Sequence, residues 1–193
     1  MSRLFNSSVA LVFLILAFLP MCIISVLIYL FMGSPVFFVQ ERVGIGGKFF
    51  KMYKFRTMSN LGTDVVDDHK RISAFGRLLR NTSLDELPEL FNVMRGDMNL
   101  VGPRPLLPEY VSLYSAEQAR RHEILPGITG WAQVNGRSSI GWEEKLALDV
   151  WYVDNRSAML DLKILFATIF VVILRRNVHP DSPQSFFRFK GRR

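Results

Sequence analysis

The sequence of 193 residues contains one cysteine and three histidines. Cys22 sits inside an apolar run, so the chain forms no intrachain disulfide and no cysteine-rich zinc site. His69, His122 and His179 are scattered without an i, i+4 pair, which speaks against a histidine-based metal centre. A nucleotide-cradling loop is missing as well: "GIGGK" fits neither the dinucleotide pattern nor the P-loop, and no full βαβ unit follows it. Charge is absent from one long stretch, residues 9–32, "VALVFLILAFLPMCIISVLIYLFM".

That stretch is long enough to cross a bilayer at ~1.5 Å per residue, with Arg3 just before it. A cleaved signal peptide fits poorly, because the run exceeds a usual apolar region and no small-residue cleavage site precedes "GSPVFFVQER". Pro20 lies at its centre, where it removes an N–H and deprives the Leu16 carbonyl of its helical partner. The residues leave two readings open. One is a kinked spanning helix, the simpler of the two; the other is a re-entrant helix-break-helix with each arm reaching half the hydrocarbon core. A second apolar segment, residues 164–174, is bounded by Lys163 and Arg175-Arg176 and is too short to span. It suits either a buried core helix or a helix lying at the interface beside anionic lipid head groups, and the tail "SFFRFKGRR" repeats that aromatic and basic chemistry.

Hydrophobic residues make up 49% of the chain, enough for one domain with a core, and a net charge of +7 points to phosphates of nucleic acid, nucleotides or lipids. "VFFVQERV" and "FFKMYKFRTM", joined by "GIGGK", predict a β-hairpin. "SNLGTDVVDDHKR" predicts a loop and residues 72–79 a helix. In "SLDELPEL", residues 83–90, Asp85 and Glu86 stand side by side, so on a helix they diverge by roughly 100° and cannot flank a substrate as a glycosidase pair does. Pro88 must fall in the first turn, which predicts a helix starting close to Asp85. Ser83 and Glu86 have capping-box spacing, a purely structural job for the glutamate. The alternative is that both carboxylates share something small, a divalent cation holding an anionic substrate, with Arg77, Arg80 and Arg95 close in sequence. Pro103 and Pro105 limit how far Arg104 can wander, which suits a phosphate fork as well as a solvated turn. "LPGITGWAQVNGRSS" ends an Asn-Gly turn on Arg137, another candidate phosphate ligand.

Taken together, the proline-bearing N-terminal segment, "YKFRTM", "SLDELPELFNVMRGDMNLVGPRPL", "PGITGWAQVNGR" and "DVWYV" resemble the bacterial sugar transferase family, small membrane-bound phosphoglycosyl transferases. The resemblance implies an α+β fold: a re-entrant hairpin over residues 1–35 with its break at Leu19-Pro20, then a catalytic domain over 36–193 that includes an interfacial helix at 160–176 and a basic tail. Family members often carry Ser-Pro at that break, whereas this chain has Leu-Pro. It further implies a Mg²⁺-dependent enzyme on the cytoplasmic face of a bacterial inner membrane, with both termini cytosolic. Asp85 would be the nucleophile and Glu86 would help Asp85 hold Mg²⁺ against the diphosphate of a UDP-sugar. Arg80, Arg104 and Arg137 would contact phosphates, and Asp149 would be a supporting carboxylate. The sugar phosphate would pass to Asp85 with release of UMP, then to polyprenyl (undecaprenyl) phosphate. A membrane-tethered nucleic-acid-binding module or a scaffold is the competing reading, suggested by the positive charge and the aromatic-basic stretches; no nucleic-acid motif accompanies them, and no nucleic-acid partner is expected.

Overall fold

The computed structural model of the protein describes residues 2–58, 71–136 and 139–174, together with Phe189 and Gly191. The predicted loop "SNLGTDVVDDHKR" falls almost wholly outside these residues, as do Arg137 and most of the basic tail. The fold mixes helices with two small two-stranded sheets. In chain order the elements are α1 (Arg3–Met32), β1 (Phe37–Val43), β2 (Phe49–Phe55), α2 (Ala74–Thr82), α3 (Glu89–Arg95), β3 (Asn99–Val101), α4 (Ala116–Ala119), β4 (Gly127–Thr129), α5 (Trp131–Val134), α6 (Trp142–Asn155) and α7 (Ala158–Ile173).

The helix α1 begins at Ser2, whose hydroxyl accepts from the Phe5 amide, and it is helical throughout. The expected break at Leu19-Pro20 is therefore not seen as an interruption: α1 runs through Pro20, with Leu16, Leu19 and Pro20 on its exposed side. One stripe of α1 is buried, running Asn6, Ala10, Met21, Ile24 and Ile28, with Leu14 and Ala17 partly covered between them. The steps of three and four along that stripe keep it on one helical face. Ala10 enters a core with Met52 of β2, Val93 of α3, Leu100 of β3, Tyr152 of α6 and Ile164 of α7. Met21, Ile24 and Ile28 enter a second core with Phe55 and Leu79. The other faces are apolar and exposed, including Leu11, Ile15, Phe18, Leu19, Ile23, Leu30 and Phe31.

Both ends of α1 are fastened to the rest of the chain. Near the start, the Asn6 side-chain oxygen accepts from the Leu100 amide of β3 at 2.9 Å. At the other end, Arg56 donates to the carbonyls of Met32 and Gly33, each at 2.5 Å, and to that of Ser34 at 3.3 Å. The last turn of α1 holds no basic residue of its own, so Arg56 supplies the cation that a helix C-terminus favours.

The β1–β2 hairpin forms as the alternating sequence predicts, with Phe37 opposite Phe55 and Val43 opposite Phe49. Gly46 and Gly47 take positive φ in the turn, which explains the glycines of "GIGGK" without a ligand. The short parallel pair β3–β4 brings together two stretches 28 residues apart at Asn99 and Gly127. Neither glycine beside this pair could be replaced: a Cβ on Gly127 would run into the Gly102 amide, and one on Gly102 would lie 2.6 Å from the Leu125 carbonyl oxygen.

Two predicted boundaries move. The helix over 72–79 starts at Ala74, because Ile72 pairs instead with Met58 in an isolated bridge, and Ser73 caps it through the Gly76 amide at 2.8 Å. The segment expected as a helix at 160–176 is the 16-residue α7, capped by Ser157. Of its apolar side chains Ile164 is fully buried, whereas Met159, Leu162, Phe166, Ile169 and Phe170 are exposed, so the core-helix reading fails. Burying such faces would be worth ~25 cal/mol per Å² of apolar surface, and α1 and α7 both present exposed apolar side chains of this kind.

Candidate active site

The chain leaves α2 through Ser83, which adopts a left-handed conformation (φ 56°, ψ 17°) and directs its amide back to the Arg80 and Leu79 carbonyls. Residues Leu84–Glu86 then form a 3₁₀ turn, and α3 starts only at Glu89, with Pro88 as its cap. The helix predicted to begin near Asp85 therefore begins later, since Pro88 has no N–H to give and the tight turn already uses the Glu86 and Leu87 amides. No side-chain capping bond forms at Ser83, so the capping-box role for Glu86 fails.

Glu86 faces two cations instead. Its Oε1 accepts from Lys54 Nζ of β2 at 2.7 Å and from Arg104 Nη2 at 2.6 Å. Lys54 also lies 3.0 Å from Glu89 Oε1 at the start of α3. The hairpin, the 3₁₀ turn, α3 and the loop after β3 thus meet at one ionic cluster. Burial would push the Glu86 carboxyl up, but Arg104 and Lys54 outweigh it and hold the group well below the usual carboxylate range. Asp85 moves the other way: burial, then the Glu86 charge, push it up to about 6 against the pull of Lys54, Arg80 and Arg104. Glu89, buried to 2% exposure, is pushed up to about 7, chiefly by burial with Lys54 pulling against it.

Two neighbouring carboxylates thus divide their work. Glu86 is the fixed anion that absorbs the cations' pull. Asp85 is buried, flanked by positive charge and, among the described residues, hydrogen-bonded by no side chain. A carboxylate in that setting is available to a phosphorus atom, and the surrounding Arg80, Lys54 and Arg104 would draw in a phosphate-bearing molecule.

The sequence-predicted residues sort as follows. Asp85, Glu86, Arg80 and Arg104 come together; Arg80 donates through Nε to Thr57 at 3.0 Å and acts electrostatically on Asp85. Asp149 on α6 does not join Asp85. It is buried and paired with Arg121, whose Nη2 donates to it at 2.6 Å. Burial pushes the Asp149 carboxyl up while Arg121 pulls it down. Arg137 lies outside the described residues, Arg77 is exposed, and Arg95 pairs with Asp97 on the surface at 3.7 Å. Leu19 and Pro20 lie on the exposed apolar part of α1. Sequence reasoning missed Lys54, Glu89 and Arg121. Glu89 alone carried a readable signal, a carboxylate inside the apolar run "PELFNVM", three residues from Glu86 and hence on its side of a helix.

Among the described residues no group of three or more His, Cys, Asp or Glu side chains is arranged to hold a metal. Mg²⁺ does not require such a group, because it keeps several waters and is commonly held by one or two carboxylates plus substrate phosphates. Asp85, together with the oxygen of Glu86 that Lys54 and Arg104 do not occupy, would supply hard-oxygen donors of that kind.

Comparison with known proteins places these features in context. The chain matches the family model described as bacterial sugar transferase over residues 1–175. It is 47% identical over 194 residues to the uncharacterized sugar transferase EpsL of Bacillus subtilis (strain 168), covering 99% of this chain and 96% of that protein. It is 38% identical over 163 residues to the undecaprenyl-phosphate galactose phosphotransferase of Salmonella typhimurium, covering 74% of this chain and 34% of that protein. With the undecaprenyl-phosphate glucose phosphotransferase of Komagataeibacter xylinus it shares 40% identity over 187 residues, 86% of this chain and 35% of the relative. The chain thus spans nearly all of EpsL and about a third of each of the other two.

The ionic cluster predicts a compensating pair of variants. Lys54→Met leaves the buried Glu89 without its cation and Glu86 with Arg104 alone, and breaking such a buried pairing costs about 3 kcal/mol or more. Adding Glu89→Gln removes the stranded charge, so Lys54→Met/Glu89→Gln is expected to recover a large part of the lost melting temperature, read by thermal unfolding in detergent. A double variant no more stable than Lys54→Met would show that Lys54 does not hold the two glutamates together.

Proposed function

Because the chain belongs to the bacterial sugar transferase family, we propose that it moves a sugar 1-phosphate from a UDP-sugar to a polyprenyl phosphate through an aspartyl phosphosugar on Asp85. The observation that carries this reading is the contrast between Glu86, held by two cations, and Asp85, buried beside them with no hydrogen-bonding side chain on it among the described residues. The names of relatives from Salmonella typhimurium and Komagataeibacter xylinus support the undecaprenyl phosphate acceptor.

In the first step an Asp85 carboxylate oxygen forms a bond to the phosphorus that carries the sugar. The bond from that phosphorus to the bridging oxygen breaks, and UMP leaves with the bridging oxygen. In the second step a phosphate oxygen of the polyprenyl carrier attacks the same phosphorus, the acyl phosphate bond breaks, and the Asp85 carboxylate is restored. Splitting one displacement between two dianions into two steps is what a covalent carboxylate offers. A Mg²⁺ ion held by Asp85 and Glu86 would neutralise phosphate charge. Arg104 and Lys54 serve by fixing Glu86, and Arg80 by adding positive charge beside the attacking carboxylate.

Topology follows from the same arrangement. Asn6 near one end of α1 and the Met32–Ser34 carbonyls at the other are both bonded to the domain that bears Asp85. A helix crossing the bilayer would carry one of these ends to the far side. The reading they support is that α1 enters the cytoplasmic leaflet without crossing it, Pro20 being the point where its hydrogen-bond ladder is weakest.

Two results test these points. Incubated with polyprenyl phosphate, Mg²⁺ and a panel of UDP-sugars that includes the galactose and glucose compounds, the protein is expected to release UMP with at least one member; no UMP from any of them would end the proposal. For topology, a cysteine at Ser2 in a Cys22→Ser background is expected to stay protected from a membrane-impermeant thiol reagent on intact bacterial cells and to react after lysis. Reaction on intact cells would restore the spanning helix.

A further inference from the structure

Four consecutive carbonyls of the Arg104 loop are each held by a donor from outside the loop, two of them from neighbouring residues of β1. The Pro103 oxygen accepts from the Gly127 amide at 3.0 Å, and the Leu106 oxygen from the Val43 amide at 3.1 Å. The Pro105 oxygen accepts from Arg42 Nη1 at 3.4 Å, and the Arg104 oxygen from Arg121 Nη2 at 2.6 Å. The contact from Arg121 is the shortest of the four, and it falls on the residue whose side chain grips Glu86.

Arg121 is itself held on several sides. Its side chain is 1% exposed, on the 3₁₀ turn Arg120–Glu123. The same Nη2 that meets the Arg104 carbonyl donates to Asp149 Oδ2 at 2.6 Å, and Nη1 donates to the Tyr114 hydroxyl at 3.2 Å. A buried ion pair adds little net stability over an apolar pair of similar volume, so stability alone does not account for it. What a planar guanidinium offers, and an apolar pair does not, is donors in fixed directions.

We propose that Arg121, oriented by Asp149, is a positioning residue for the transfer site: it clamps the Arg104 backbone so that the Arg104 guanidinium is aimed at Glu86 and the substrate phosphate. This rests on the transferase reading above. It also gives Asp149 a role, through Arg121 and Arg104, that requires no contact with the reacting atoms.

Arg121→Ala would strand a buried Asp149 and confound folding with function. Arg121→Met/Asp149→Leu instead removes the clamp and both buried charges while filling the volume. A merely structural pair predicts a stable and active variant. Positioning predicts a melting temperature near that of the wild type with kcat/KM for UMP release lowered about tenfold or more, and a loss below about twofold when the change is made in an Arg104→Ala background, because the two act through one interaction. Amide exchange within residues 102–107, at the positions other than Pro103 and Pro105, is expected to speed up while that of β2 stays unchanged. If the variant does not fold, Arg121→Lys, which keeps a charge for Asp149 but lacks the fork, carries the same cycle. Normal kcat/KM, equal fold losses in both backgrounds, or unchanged exchange at 102–107 would each overturn the clamp. The exchange readout needs no substrate, so a wild type that releases no UMP would fail the transferase reading and leave the clamp to be judged separately.

Discussion

The structure depends on holding several carboxylates out of water within one turn of chain. Asp85, Glu86 and Glu89 lie within five residues, and each is 13% exposed or less. Such a group would not stay folded around unpaired charge. The fold answers with Lys54 from the hairpin and Arg104 from the loop after β3, both ending on the same Glu86 oxygen. Because those cations come from elements distant in sequence, the β1–β2 register and the β3–β4 pairing are requirements of the site as much as of the core. The close backbone approach of Gly102 and Gly127 serves the same end, since it sets where Arg104 leaves the sheet.

The apolar helices and the ionic cluster are two sides of one arrangement. The stripe of α1 that packs inward shares cores with β2, α2 and α3, the elements that carry Lys54, Arg80 and Glu89. Its outward faces, and those of α7, are apolar and exposed. Arg56, the residue after Phe55 at the close of β2, holds the end of α1, so that helix and the strand bearing Lys54 share an anchor. The transfer proposed above, between a water-soluble sugar nucleotide and a lipid-borne phosphate, is served by such coupling.

Much of this was legible in the sequence where the signal was local. Alternation with a Gly-rich turn identified the hairpin, a charge-free run identified α1, and the side-by-side carboxylates marked Asp85 and Glu86. What stayed hidden was contact across the fold. Nothing near Lys54 in "FFKMYKFRTM" says that it faces Glu86 and not solvent, and nothing near Arg121 in "EQARRHEI" separates it from Arg120, which pairs at the surface with Asp154 and Glu117. The capping box at Ser83 and Glu86 had the right spacing but lost to a left-handed Ser83 and a 3₁₀ turn, a choice decided by the cations waiting for Glu86. At Pro20 the residues leave a kinked helix and a helix-break-helix both open, and only the family resemblance points to a break; the helix continues through it, with the stripe on either side held by the two cores.

The central claim is that Asp85 carries the sugar phosphate in covalent form. Intact-mass measurement of the protein incubated with a competent UDP-sugar and Mg²⁺, without polyprenyl phosphate, tests it directly. The expected result is a gain equal to one sugar phosphate, mapped to the peptide containing Asp85, lost on adding the acceptor and absent from Asp85→Asn. Steady turnover by Asp85→Asn at the normal rate, or an adduct mapped to a different residue, would contradict the account.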